Sequence, residues 1–221
     1  VVVVDILRAT SVISTAFEQG VSSIIPVQSL DDALSYRNRK DYIIAAERNT
    51  HLVDGFDFGN SPYHYLNSNI KNKTLVLTTT NGTKAIHIAK NHQIITASFI
   101  NINAIASFLI NKRKNVIILC SGWKNIFNLE DTIFAGYLSE LLTNSLFFSS
   151  NCDSLRASQL IYQSQKNSNQ DLYTFLKDSS YRKRNNTTHV IKDTKFCLDP
   201  YLISNVIPFY SDGRLVPISS V

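Results

Sequence analysis

The sequence predicts an α/β fold, three layers deep, with helices on both faces of a mostly parallel or mixed sheet. Two patterns point to it. Apolar runs of three to six residues, most of them rich in β-branched side chains, alternate with stretches of helical period over the first two thirds of the chain. Polar residues able to do chemistry recur directly after those runs. Size agrees with both, because 221 residues at 44% hydrophobic content can bury a full core. The expected organisation is a single domain over 1–221, with room for two lobes meeting near residues 147–152.

The first strand is expected at 1–4, and after it Val12, Ile13, Ala16 and Phe17 share one helical face. Further short strands are expected at 24–27, 42–46, 75–77, 94–96 and 116–119. Leu129, Ile133, Phe134, Tyr137, Leu138, Leu141 and Leu142 then form the apolar face of a long helix. Beyond Phe148 the pattern weakens into polar segments with helical stretches at 155–163 and 171–176, and Val206-Ile207-Pro208-Phe209 offers a late strand.

Composition narrows the function classes. A net charge of +5 favours an anionic partner without choosing between nucleic acid and a small anion. The densest basic runs, Lys112-Arg113-Lys114 and Arg182-Lys183-Arg184, lack the interleaved aromatics of a strand-binding groove and read as solvated faces. Cys120, Cys152 and Cys197 form no close pair, which suggests neither a zinc site nor a disulfide framework and fits the cytoplasm. No apolar stretch reaches the ~18 to 20 residues of a membrane span. The chain opens inside an apolar run and has no methionine, so residue 1 is not expected to be the native start.

In open parallel sheets, ligands bind outside the carboxyl ends of the strands, so the residues after each run are expected to converge in one crevice. Asp5 and Arg8 follow the first run: the carboxylate could bind a cation and the guanidinium could grip an anion bidentately, or the two could pair with each other. Glu47-Arg48 follow the third run. After the fourth, Thr78-Thr79-Thr80-Asn81-Gly82-Thr83 leads into Lys84 as an anion-binding turn at a helix start, the alternative being a hairpin through Asn81-Gly82. In Gly55-Phe56-Asp57-Phe58-Gly59-Asn60-Ser61-Pro62, Ser61 and Pro62 have the signature of a helix start. Asn128-Leu129-Glu130-Asp131 opens the long helix, where Glu130 and Asp131 either complement the helix dipole or, with Asp5 and Glu47, supply hard oxygen ligands for Mg²⁺. His51 lies closest to these motifs but reads as a surface residue. No nucleophile elbow, H-E-x-x-H, Walker loop or dinucleotide fingerprint is present.

Taken in order, Val4-Asp5-Ile6-Leu7-Arg8-Ala9-Thr10, Glu47-Arg48, residues 55–62, Leu77 through Thr83, Leu129-Glu130-Asp131 and Lys192-Asp193-Thr194-Lys195-Phe196-Cys197 resemble the motifs of the 2-phosphosulfolactate phosphatase (ComB) family. The resemblance spans nearly the whole chain. It implies an α/β sandwich of unusual topology and a Mg²⁺-dependent phosphatase that hydrolyses 2-phospho-3-sulfolactate to sulfolactate and phosphate, a step towards coenzyme M. Catalytic roles then fall on Asp5, Arg8, Glu47 and Asn81, and metal ligation on Asp5, Glu47, Glu130 and Asp131. Substrate contacts fall on Arg8, Arg48, Asn60, Ser61, Thr79, Thr80, Asn81, Gly82 and Thr83. The expected partner is a small anionic phosphomonoester, with a homo-oligomer allowed and neither nucleic acid nor membrane involved. One departure stands out, since Ala46 precedes Glu47 and Asn49-Thr50 follow Arg48 where the family carries glycines. Two other readings are a phosphatase of another phosphorylated hydroxy acid, and a non-catalytic module that binds anions or nucleic acid.

Overall fold

The computed structural model describes residues 1–48, 50–66, 69–199 and 201–219. Asn49, in the loop that departs from the family pattern, lies outside them. The chain begins β1 (Val2–Val4), α1 (Ala9–Glu18), β2 (Ser23–Pro26), α2 (Leu30–Leu34), β3 (Tyr42–Arg48), β4 (His51–Leu52) and α3 (Tyr63–Leu66). It continues through β5 (Thr74–Thr78), α4 (Gly82–Ile88), β6 (Ile95–Ala97), α5 (Ile102–Lys112), β7 (Ile118–Cys120), α6 (Leu129–Asn144) and α7 (Asp153–Asn167). The remainder holds α8 (Leu172–Phe175), α9 (Ser180–Arg184), α10 (Thr188–Cys197) and the hairpin β8 (Val206–Ser211) with β9 (Arg214–Ser219).

Nine strands form one mixed sheet in the order β4-β3-β5-β2-β9-β8-β6-β1-β7, and 43% of the chain is helical, in keeping with a three-layer α/β/α fold. The sheet consists of two parallel blocks. In one, β5 pairs in parallel with β3 and β2; in the other, β1 pairs in parallel with β6 and β7. The antiparallel β8–β9 hairpin stands between them and meets each block through a single residue pair, Ile24 with Leu215 and Ile95 with Phe209. Asp212 (φ +52°) and Gly213 (φ +80°) close that hairpin, both in the left-handed region that a tight two-residue turn demands.

The expected strands all form, within a residue or two of their predicted ends. Their side chains fill two main apolar clusters. One joins α6, through Ile133, Phe134 and Leu138, to Val2, Val4 and Ile207; the other joins α1, through Val12, Ile13 and Phe17, to Val3, Leu75 and Leu77. The helical stretches expected at 155–163 and 171–176 lie in α7 and in α8 with its continuation. Helix α7 crosses α6 at Gly136, where a Cβ would stand 2.2 Å from the Ser158 carbonyl oxygen and 2.8 Å from Tyr162 Cβ. Because backbone cannot yield as a side-chain tip does, Gly136→Ala is expected to cost about 1 to 3 kcal/mol or more through overpacking. Urea unfolding measures it; a change below about 0.5 kcal/mol would show that the helices do not cross this closely.

Candidate active site

The loops that follow β1, β3, β5 and β7 converge as expected. Asp5, just past β1, is only 7% exposed and lies against Gly82, where a Cβ would stand 2.8 Å from Asp5 Oδ2 and 2.6 Å from Ala9 Cβ. Glycine is therefore required here by close approach: any side chain would push Asp5 from its place. Asp5 Oδ1 accepts a hydrogen bond from the Ala9 amide (3.4 Å). Asn81-Gly82 makes no hairpin; Asn81 precedes α4 and its Oδ1 accepts from the Lys124 amide (3.2 Å), tying the β5 loop to the β7 loop.

A cleft of about 320 Å³ opens over this junction, lined among others by Glu47, Thr80, Asn81, Glu130, Trp123, Tyr181 and Arg184. Glu130 is 2% exposed, and its Oε2 has no hydrogen-bond partner among the described residues. Burial first and the neighbouring Asp131 second push its carboxyl up to about 7. Asp5 is raised well above the ordinary carboxylate value by burial and then by the charges of Asp131, Glu47 and Glu130. Asp5 from the loop after β1, Glu47 from the end of β3, and Glu130 and Asp131 from the start of α6 thus come into one region, where Asp5 feels the charge of the other three. Glu47 Oε1 also accepts from the Thr50 amide (2.6 Å).

Asp131 is satisfied differently. Its Oδ1 accepts from the Ile6 amide (2.8 Å), and its Oδ2 accepts from Ser121 Oγ (3.2 Å), the Gly122 amide (3.2 Å) and Asn128 Nδ2 (3.0 Å). Four donors fill a carboxylate's capacity. Among the sequence-expected ligands, Asp131 is thereby occupied in joining the β1 loop, the β7 loop and the start of α6. Among the described residues, no three His, Cys, Asp or Glu side chains stand close enough together to enclose a metal ion.

The remaining expected residues sit around the cleft rather than on it. Arg8 is 3% exposed and does not pair with Asp5; it forms an ion pair with Asp193 of α10, and its Nη2 donates to the Thr50 carbonyl (3.3 Å). Ser61 Oγ donates to the other Asp193 oxygen (2.6 Å), so Ser61 and Arg8 are joined through one buried carboxylate. Asn60 is buried beside Ser61, and its Oδ1 has no partner among the described residues. Arg48 donates to the Glu47 carbonyl (2.7 Å) and to Thr78 Oγ1 (3.2 Å). Thr79 and Thr83 hydrogen-bond each other's amides through their hydroxyls (3.2 and 3.3 Å). Two of the amides expected to face an anion are thus occupied, leaving Thr80 and Asn81 as the cleft-lining part of the turn.

Asp193, Tyr181, Trp123 and Arg184 carry no expected site role from the sequence. Asp193 lies in the 192–197 stretch of the resemblance, which was the one available signal. Arg184 belongs to a run read as a solvated face; although exposed, it lies at the cleft with its guanidinium 3.8 Å from the Trp123 ring centre.

The raised carboxyls predict a pH dependence. A carboxyl whose folded value lies above its unfolded one keeps a proton in the folded chain that the unfolded chain has already lost, so stability falls as pH rises. For Glu130 and Asp131, with Asp131 pushed up to about 6 chiefly by burial, the loss runs from about 4 to about 7. Metal-free protein is expected to lose on the order of 2 kcal/mol between pH 5 and pH 8. Glu130→Gln should flatten the slope; an equal slope in that variant would assign the effect elsewhere.

Acids and a hydroxyl-rich turn thus meet around one small cleft. The family model described as 2-phosphosulpholactate phosphatase matches residues 1–213. A protein of Thermotoga petrophila named probable 2-phosphosulfolactate phosphatase is 38% identical over 206 residues, 93% of this chain and 86% of its own length. One of Caldanaerobacter subterraneus subsp. tengcongensis with the same name is 35% identical over 90% of this chain and 82% of its own. Another, from Clostridium novyi, is 45% identical over 64% of this chain and 62% of its own. The chain belongs to the 2-phosphosulpholactate phosphatase family and by class is a phosphoric monoester hydrolase. No helix among the described residues is long and apolar enough to cross a membrane.

Proposed function

We propose that the protein hydrolyses 2-phospho-3-sulfolactate to 3-sulfolactate and phosphate with the help of Mg²⁺, a step towards coenzyme M. The observation that carries the reading is Glu130: a buried carboxylate with an oxygen that has no hydrogen-bond partner among the described residues, at the wall of a small cleft that Glu47 also lines, with Asp131 and Asp5 near enough to repel it. Hard oxygen donors with excess negative charge suit a divalent cation, and Mg²⁺ needs only one or two carboxylates because it keeps several waters. One or two of Asp5, Glu47 and Glu130 would hold it, the three of them not standing close enough together to share one ion, while Asp131 fixes the loops around them. Bound there, Mg²⁺ would neutralise charge on the phosphoryl oxygens.

The chain's own residues account for the remainder. Thr80 and Asn81 orient the phosphoryl group, and the Arg8 charge, fixed by Asp193, offsets the acids from behind. Water attacks phosphorus and a cleft carboxylate accepts its proton; the bond from phosphorus to the sulfolactate oxygen breaks, and that oxygen takes up a proton from the carboxylic acid so formed, giving sulfolactate and phosphate. The names of the relatives supply the sulfonated substrate; other phosphorylated hydroxy acids are the second reading, since the acid cluster itself recognises only the phosphoryl end.

Phosphate release from phosphosulfolactate, phospholactate and phosphoglycolate, each with and without Mg²⁺, tests both readings. A preference of at least about tenfold for phosphosulfolactate, lost on chelation, is expected. Equal rates on all three would move the assignment to a general hydroxy-acid phosphatase. Release unaffected by chelation would remove the metal.

A further inference from the structure

Facing the acid cluster, the same cleft has a cationic side. Trp123 presents its ring to two cations, with the Arg184 guanidinium 3.8 Å and the Lys124 ammonium 4.9 Å from the ring centre. All three residues line the cleft together with Glu47, Asn81 and Glu130. Among the described residues neither cation has a carboxylate within 4.0 Å, the ion pairs there being Arg8–Asp193 and Lys166–Glu140. Tyr181 lines the cleft as well and is 6% exposed.

The aromatic plate is built to stay in place. Trp123 and Ile126 exchange backbone hydrogen bonds (2.9 Å each) across a tight turn whose Lys124 (φ +51°) and Asn125 (φ +64°) are left-handed. The turn is fastened to the phosphoryl side of the cleft twice, by the Lys124 amide on Asn81 Oδ1 (3.2 Å) and by Lys84 Nζ on Asn125 Oδ1 (3.1 Å). A guanidinium held over a ring can keep N–H groups free to donate two parallel bonds to an oxyanion.

Two cations with no carboxylate within 4.0 Å among the described residues and an aromatic plate that braces them, in one cleft with Glu47 and Glu130, describe a receptor for an anion beside the one the acids handle. We infer that Arg184 and Lys124, braced on Trp123, bind the second strong anion of the substrate, its sulfonate, and so select sulfonated over unsulfonated phosphoesters. This deepens the phosphatase reading and rests on it for the identity of the ligand. The sulfonate lies along the Arg184 edge while the phosphoryl group lies at Asp5, Glu47 and Asn81.

The test is calorimetric titration of 3-sulfolactate, and separately of inorganic phosphate, into the full chain and into Arg184→Ala, Arg184→Lys and Trp123→Ala, with thermal melts confirming that each variant folds. Arg184→Ala is expected to weaken sulfolactate roughly 10- to 100-fold, as the loss of charge-assisted hydrogen bonds does, and to lower its affinity relative to phosphate by at least about tenfold. Lysine should restore only part of the loss, and Trp123→Ala should reproduce much of it. Unchanged sulfolactate affinity in Arg184→Ala, equal weakening of sulfolactate and phosphate, or no binding of sulfolactate to the parent chain would each overturn the subsite. Arg184-dependent sulfolactate binding by a chain that releases no phosphate from phosphosulfolactate would uphold the subsite and overturn the phosphatase reading alone.

Discussion

Asp5→Asn is expected to abolish phosphate release and at the same time to make the protein more stable. Asp5 is buried, surrounded by three other acids, and held with its carboxyl well above the ordinary range first by that burial and then by their charge. Asparagine has the same shape and keeps an acceptor for the Ala9 amide, so the loop it anchors need not move. The repulsion disappears with the charge, and the thermal midpoint at pH 8 should rise by roughly 2 to 4 °C for each ~1 kcal/mol relieved. Turnover should drop by at least about 100-fold, the scale on which a single preorganised charge acts in such a site. Paired melting and phosphate-release assays decide the matter: near-normal turnover would remove Asp5 from the mechanism, and a lower midpoint would mean that its charge is compensated in the resting fold.

The second large effect is expected at Asp193. It is 1% exposed and supports both the Arg8 guanidinium and the Ser61 hydroxyl, linking the β1 loop, the start of α3 and α10. Removing one member of a buried ion pair leaves the other desolvated without its countercharge, which costs about 3 to 5 kcal/mol. Asp193→Ala should therefore lower the midpoint by roughly 10 °C. Replacing both partners with apolar residues of similar size, as in Arg8→Met combined with Asp193→Leu, should recover much of the stability and none of the activity. If Asp193→Ala costs under about 1 kcal/mol, or the double variant turns over normally, the pair is neither the tie nor the source of the positive potential behind the acids.

The convergence of Asp5, Glu47 and Asn81 was legible because their motifs follow short apolar strands, and strand ends gather in this architecture. Glu130, at the start of a helix, joined them only through the metal-ligand reading and the family resemblance. The chemical division among the acids was not legible. Asp131 looks like its neighbour Glu130 in sequence, and only the four donors that surround it separate a brace from a free carboxylate. The partner of Arg8 lies 185 residues away, a pairing that no local spacing encodes. Arg184 looked like solvent-facing charge because its aromatic partner, Trp123, comes from another loop.

The sheet shows a related limit. Asn81-Gly82 offered a hairpin signal but opens a helix, in which Gly82, Ala85 and Ile86 are buried at i, i+3, i+4 spacing. The true hairpin turn is Asp212-Gly213, between Val206–Ser211 and Arg214–Ser219, and its second strand was not anticipated. β4, with two residues, is too short to leave a periodic trace.

That late hairpin has a consequence for how the protein is made. The strands at the centre of the sheet are translated after every strand they bridge, so on the ribosome β2 and β6 wait with open edges while more than a hundred further residues are added. Unprotected edges of this kind recruit neighbouring chains. Crowded polysomes and delayed termination are therefore the conditions under which this enzyme should depend most on chaperones, even though the finished molecule keeps both edges sealed.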